Sequence, residues 1–169
     1  IAFAFAARAL SRGTDPHRLA AYGALIGLFA FAAVVFAAPL DSILLFRIGV
    51  AMIGLGGGLF AVGTLTAAMG RESGGHTGLA LGAWGATQAS AAGLATAAGG
   101  ALRDFVSSLA NTGALGEALA SPATGYSFVY HVEIGLLFAT LIVIGPLVRT
   151  RGAHARQSAQ GFGLAEFPG

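Results

Sequence analysis

The chain has 169 residues, of which 9% are charged and 56% hydrophobic, and its mean hydropathy is +0.78. Soluble domains carry about 25% charged residues, so this composition excludes a soluble globular protein and indicates an integral membrane protein. A net charge of +2 from scattered arginines excludes nucleic-acid binding, and the lack of cysteine excludes disulfides and thiolate metal sites.

The first elements in chain order are apolar segments joined by short polar connectors. Residues 1–10 have neither an initiating Met nor a basic leader, which predicts the end of a transmembrane helix whose N-terminal part is missing from the chain. Asp15 followed by Pro16 is typical of a helix start. Transmembrane helices are predicted over 19–38 and 43–69, the second with Asp41 or Ser42 as its N-cap.

The most unusual segment, residues 78–102, contains no charged side chain. At about 1.5 Å per residue it is long enough to cross a hydrocarbon layer of roughly 30 Å. It is rich in Gly, Ala, Ser and Thr, and small residues allow helix backbones to approach closely in lipid. We therefore predict a transmembrane helix inside a bundle. The predicted helix-packing residues here and in 43–69 are Gly54, Gly58, Gly78, Gly82, Gly85 and Gly93.

The last part of the chain is predicted to contain a loop, a span and a tail. A loop over 103–125 has a weak amphipathic pattern, which fits an interfacial helix and an ordered loop equally well. A transmembrane helix over 126–148 and a tail over 149–169 follow. Seven of the nine arginines lie on one side of the predicted spans, which predicts a cytoplasmic C-terminus and a periplasmic loop. The prediction is four complete transmembrane helices plus the end of a fifth.

Two charged residues, Arg47 and Glu133, are predicted to lie below the membrane surface. Arg47 and Glu133 lie at similar depth in their helices, and ionisable residues in lipid usually face a partner. We predict an ion pair between them. Three alternatives stay open. The pair has a purely structural role, it takes part in proton coupling or ligand binding, or the two residues make no contact. His131 could bind the magnesium of a chlorophyll-type ring or be a hydrogen-bonded residue near the interface.

No arrangement of residues typical of an enzyme is visible. The chain shows no cluster of nucleophile, base and orienting group, no paired carboxylates at catalytic spacing and no phosphate-binding loop. The other three histidines have no spacing that links them into a metal site. We expect neither catalysis nor a resident metal ion.

Three blocks of sequence are distinctive when taken together: GGGLFAVGTLTAAM (56–69), GHTGLALGAWGATQASAAGLATAAGGALRD (75–104) and GYSFVYHVEIGLLFATLIVIGPLVR (125–149). In order and content they resemble the C-terminal part of the PucC/LhaA family of purple photosynthetic bacteria. This family is the bacteriochlorophyll-delivery branch of the major facilitator superfamily. The ending FGLAEFPG is similar to the family's ending too.

The resemblance implies an all-α integral membrane protein with a major facilitator superfamily-like helix bundle, in which these residues are the end of helix eight and helices nine to twelve. It implies an assembly factor for light-harvesting antenna complexes in the bacterial inner, intracytoplasmic photosynthetic membrane. Such a factor would handle bacteriochlorophyll or deliver it to antenna polypeptides. The implied partners are antenna polypeptides, the reaction centre, bacteriochlorophyll and membrane lipid.

Two other functions stay open at this point. One is a secondary transporter of a tetrapyrrole or another small molecule, and the other is a structural subunit of a light-harvesting supercomplex. Transport requires substrate or coupling-ion groups near the membrane midplane. The midplane of the four predicted spans is nearly devoid of charge, which favours assembly over transport.

Overall fold

The structure, a computed structural model, describes residues 1–70 and 76–160, with residues 149–160 described by their backbone alone. The described ranges form five α-helices and one short 3₁₀ turn, which confirms the predicted all-α fold. The helices are α1 (Ala2–Ser11), α2 (Pro16–Ala37), α3 (Ile43–Met69), α4 (Thr77–Asn111) and α5 (Thr124–Gln160), and the 3₁₀ turn is Glu117–Leu119.

Three of these helices are long and apolar enough to cross a membrane, which makes the chain a membrane protein of several spans. They are α2, α3 and the Thr124–Val148 part of α5. The predicted span 78–102 is helical throughout, yet α4 is not among the three. Its glycine, alanine, serine and threonine residues make it less apolar than the other long helices.

The starts of α2 and α3 follow from their capping residues. The Asp15 carboxylate accepts hydrogen bonds from the amides of His17 (2.8 Å) and Arg18 (3.3 Å), and Pro16 opens the helix. The helix therefore begins where the Asp15–Pro16 pair predicts, three residues before the start of the predicted span 19–38. At α3 the cap is Ser42, whose hydroxyl accepts from the Leu45 amide at 3.2 Å. Aspartate and serine oxygens at this position satisfy amides that have no helical partner.

The predicted loop over 103–125 is shorter in the structure because α4 continues to Asn111. The helix continues because Val106 and Ala110, four residues apart on one face, are both buried. Gly113 ends it with a left-handed φ of 74°. The amide after this glycine, that of Ala114, donates to the Leu109 carbonyl at 3.1 Å, a common helix stop.

The last helix is longer than predicted at both ends. It begins at Thr124 rather than Tyr126, and its backbone continues past Pro146 to Gln160, so the predicted tail 149–169 begins as helix. Residues 71–75 and 161–169, with Arg71 and the FGLAEFPG ending, lie outside the described residues.

The centre of the fold is the antiparallel pair α2 and α3, which are joined by the tight turn 38–42. Helix α1 packs on α3, while α5 packs chiefly against α2 and α4. We call the end of the bundle that contains the turn 38–42 the hairpin end. The opposite end, which contains residues 12–15 between α1 and α2, is the connector end.

Helices α2 and α3 meet along a seam of glycines spaced seven residues apart on α3. A Cβ atom at Gly56 would lie 2.7 Å from the Gly23 carbonyl oxygen, and one at Gly63 would lie 2.7 Å from the Ala20 amide. Nearer the hairpin end, a Cβ at Gly49 would lie 2.6 Å from a methyl group of Val34. The two backbones are therefore in contact, which is how helices associate closely in lipid.

Candidate functional site

The predicted pair of ionisable residues does not form an ion pair. Arg47 is exposed on α3 and Glu133 is half-buried on α5. Within the described ranges the ion pair is the one between Arg103 and Asp104. The physical reason is the arrangement of the helices, because α5 packs chiefly against α2 and α4 and not against α3.

The ring of His131 is exposed and its orientation is fixed by the helix. Its Nδ1 lies 2.7 Å from the carbonyl oxygen of Ser127, one turn earlier in α5. A carbonyl oxygen only accepts, so Nδ1 is the donor, and the tautomer that donates from Nδ1 has a lone pair on Nε2. Histidines that bind metals commonly donate their other ring N–H in this way.

The hairpin end contains an apolar groove of about 410 Å³ between the C-terminus of α2 and the N-termini of α3 and α5. This volume is within the range of small-molecule sites. Arg47, His131 and Glu133 do not line it. One wall is reinforced by Phe31, whose ring centroid lies 5.8 Å from that of Tyr130. The polar and aromatic lining residues are Asp41, Ser42, Phe46, Tyr126, Ser127 and Tyr130.

Arg103 of α4 supports the groove from outside. Its Nη1 donates to the Tyr126 hydroxyl at 2.7 Å, and its guanidinium carbon lies 5.1 Å from the centre of that ring. Hydrogen bonds to Asp104 and then to Tyr126 raise the pKa of Arg103, which stays a cation. Because the phenol oxygen accepts from Arg103, its own O–H is free to donate to a molecule in the groove.

The contact between Arg103 and Tyr126 was not predicted from the sequence. The two residues are 23 positions apart, and one of them was assigned to a loop. Only the continuation of α4 past residue 102 brings them together. The sequence contains two weak signals of this contact. One is a tyrosine at the start of the last predicted span, and the other is an Arg-Asp pair directly after the span before it.

The predicted packing glycines lie mostly in open space within the described chain. A Cβ at Gly58 would lie 2.5 Å from the Cβ of Ala2, so Gly58 faces α1. The other five predicted positions have no neighbour within 4 Å of such an atom: Gly54, Gly78, Gly82, Gly85 and Gly93. We predicted that α4 lies inside a bundle, but the described residues do not surround it. Most of α4 is exposed, and glycine count alone does not tell which face meets a neighbour.

Away from the hairpin end, α4 is joined to α3 by one side-chain hydrogen bond. The Trp84 indole donates to the Thr64 hydroxyl oxygen at 3.2 Å, and that hydroxyl donates to the Phe60 carbonyl at 2.9 Å.

Replacing Thr64 by Val is expected to remove this link while preserving the shape of the side chain. The indole N–H then has no acceptor, and we expect the free energy of unfolding to fall by about 1 kcal/mol. Trp84 is the single tryptophan of the chain, so the indole N–H band in ultraviolet resonance Raman spectra reports the bond directly. An unchanged band in Thr64→Val would contradict the contact.

The described fold defines the class of protein: an all-helical membrane protein with a close-packed α2–α3 pair and an apolar groove at one end. Comparison with known proteins identifies the family. The family described as PUCC protein matches residues 1–152, and the chain belongs to this family. No solved structure gave a significant match.

Two relatives cover nearly the whole chain. An "Uncharacterized protein in puhA-bchM intergenic region" of Rhodobacter capsulatus is 51% identical over 99% of the chain and 36% of its own length. "Protein PucC" of Cereibacter sphaeroides is 43% identical over 92% of the chain and 33% of its own length. The chain thus spans about a third of the length of these relatives.

Proposed function

We propose that the protein is a non-enzymatic assembly factor for light-harvesting antenna complexes of a photosynthetic bacterium. The observation that carries the proposal is the family match over residues 1–152, together with relatives named PucC at 43% and 38% identity over most of the chain. The three apolar helices are consistent with a place in the intracytoplasmic photosynthetic membrane. The proposal includes a major facilitator-like bundle for the complete protein and a cytoplasmic C-terminus.

The exposed face of α4 supports a role in binding other transmembrane helices. Its glycines have open space around them, so another helix backbone can approach closely. Antenna polypeptides are the proposed partners, with the reaction centre as a further one. Binding them side by side while they oligomerise requires no catalytic group.

Bacteriochlorophyll is the proposed cargo, and His131 is the residue that could hold it. The neutral imidazole with a protonated Nδ1 and a free Nε2 is chemically suited to bind the central magnesium of the pigment. The groove beside Tyr126 and Tyr130 offers apolar walls and a phenol donor for a part of such a molecule. In this proposal the magnesium belongs to the pigment. The protein supplies the imidazole of His131 as its ligand, a phenol hydroxyl as a hydrogen-bond donor, and the apolar walls of the groove.

Replacing His131 by Leu is expected to reduce the bacteriochlorophyll that co-purifies with the protein by roughly tenfold or more. Loss of a direct ligand should cost at least as much affinity as loss of a supporting hydrogen bond to one. The absorbance of pigment per protein, after purification in mild detergent, measures this. His17→Leu, at the connector end, is the matched control and should keep its pigment. Equal pigment in both variants would rule out His131 as the ligand.

The assembly function is tested by purifying the tagged full-length protein from pigmented membranes in mild detergent. We expect antenna polypeptides in substoichiometric amounts and an enrichment of the protein with assembly intermediates. A fixed stoichiometry with the mature complex would instead indicate a resident structural subunit. A colourless protein without antenna partners would favour a transporter, and uptake of a tetrapyrrole into vesicles would then be measured.

A further inference from the structure

The connector end contains a second pocket, of about 820 Å³, whose lining is basic and polar. It lies between the α1–α2 connector, the C-terminal turn of α3 and the end of the membrane-length part of α5. Apolar side chains, Leu10 and Val148, also line it. Its polar and charged side chains are Arg12, Thr14, Asp15, Arg18, Tyr22 and Thr66.

The charges of this pocket favour an anion. Neither Arg12 nor Arg18 forms an ion pair within the described ranges, where the ion pair is Arg103–Asp104. Among the described residues that line the pocket, Asp15 is the carboxylate, and it accepts from two amides at the start of α2. The described lining thus has two guanidinium groups and a positive helix N-terminus beside one carboxylate, which is an excess of positive charge.

The position of the pocket relative to the three apolar helices indicates where the anion comes from. Helix α2 begins at Pro16, α3 ends at Met69, and the apolar part of α5 ends at Val148. All three ends meet at this pocket, so it lies where the hydrocarbon layer gives way to the lipid head groups. The Tyr22 side chain, 53% exposed, brings a hydroxyl to the same level. Tyrosine is favoured at this depth of a membrane.

We propose that this pocket binds the phosphate group of an anionic glycerophospholipid. Arg12 and Arg18 hold the phosphate, Tyr22 and Thr14 supply hydroxyl donors, and the acyl chains lie along Leu10 and the exposed apolar side of the bundle. Guanidinium groups bind phosphate oxygens through paired, charge-assisted hydrogen bonds. This inference is independent of the antenna-assembly function, since it requires only the local residues and the membrane surface.

The test is native mass spectrometry of the intact protein, released from nanodiscs that contain phosphatidylglycerol and phosphatidylcholine in equal amounts with identical acyl chains. We expect the wild type to retain phosphatidylglycerol in preference. The double variant Arg12→Gln/Arg18→Gln should lose this preference by about tenfold or more, since basic residues near a membrane contribute about 1 kcal/mol each. Arg8→Gln, which removes one positive charge from α1 outside the pocket, should keep it.

Three outcomes would overturn the proposal. One is a wild type that retains both lipids equally, a result that does not depend on the folding of any variant. Another is competition by soluble glycerol 3-phosphate or inorganic phosphate that abolishes the arginine-dependent binding, which would identify the site as one for a free phosphate. An equal loss of phosphatidylglycerol from Arg8→Gln would likewise show that general surface charge, and not this pocket, retains the lipid.

Discussion

Gly56→Ala is expected to lower the free energy of unfolding by about 2–3 kcal/mol, as overpacking of a tight contact does. The added methyl group would lie 2.7 Å from the Gly23 carbonyl oxygen and 3.1 Å from the Gly27 amide nitrogen. Both neighbours are backbone atoms of α2, so no side chain can rotate away and the two helices must separate. The measurement is the fraction of monodisperse protein after heating in mild detergent.

The neighbouring glycine provides a matched control. A Cβ atom at Gly57 meets nothing within 4 Å, so Gly57→Ala should leave thermal stability unchanged or raise it by up to about 1 kcal/mol, the difference in helix propensity. Of two adjacent and chemically identical changes, only Gly56→Ala is thus expected to destabilise the protein. If both variants melt at the wild-type temperature, α2 and α3 do not meet along this seam.

Much of the fold could be predicted because local sequence signals decide it. The bounds 43–69 predicted for α3 match the structure, since Ser42 caps the helix and polar residues follow it. The end of α4 was missed because its last turns are held by tertiary burial. Val106 and Ala110 are buried, whereas the sequence around them shows only a weak pattern.

Which glycines make contacts could not be predicted from composition. The sequence drew attention to the run 54–58 and to α4 because glycines are dense there. Within that run only Gly56 contacts α2, and Gly58 contacts α1. The α2–α3 contact is made at Gly49, Gly56 and Gly63, which recur every seven residues and so keep to one side of the helix. A search for that spacing, rather than for density, would have found the seam.

The candidate site shows the same division between local and tertiary information. The hydrogen bond of His131 lies within a single turn of α5, and the residue could be singled out from sequence. The expected partnership of Arg47 with Glu133 depended on which helices are neighbours, and depth along each helix does not decide this. Among the arginines whose side chains the structure describes, Arg103 forms the ion pair, with Asp104, and also donates to Tyr126.

The contact of α4 with α5 at the hairpin end depends on Gly125. A Cβ atom there would overlap the Ser107 hydroxyl and lie 2.7 Å from the Arg103 carbonyl oxygen. The hydroxyl can rotate away but the carbonyl cannot, so Gly125→Ala must push α4 away from α5. The Arg103–Tyr126 bond and the support of the groove would be lost with it.

We therefore expect Gly125→Ala to destabilise the protein by about 2–3 kcal/mol, with the damage concentrated at the end of α4. Hydrogen exchange of the amides in 101–111 should accelerate, because few contacts other than those with α5 hold this end. Gly135→Ala is the control on the same helix, since its Cβ would meet nothing within 4 Å. Unchanged protection of 101–111 in Gly125→Ala would mean that α4 is held there by something other than α5.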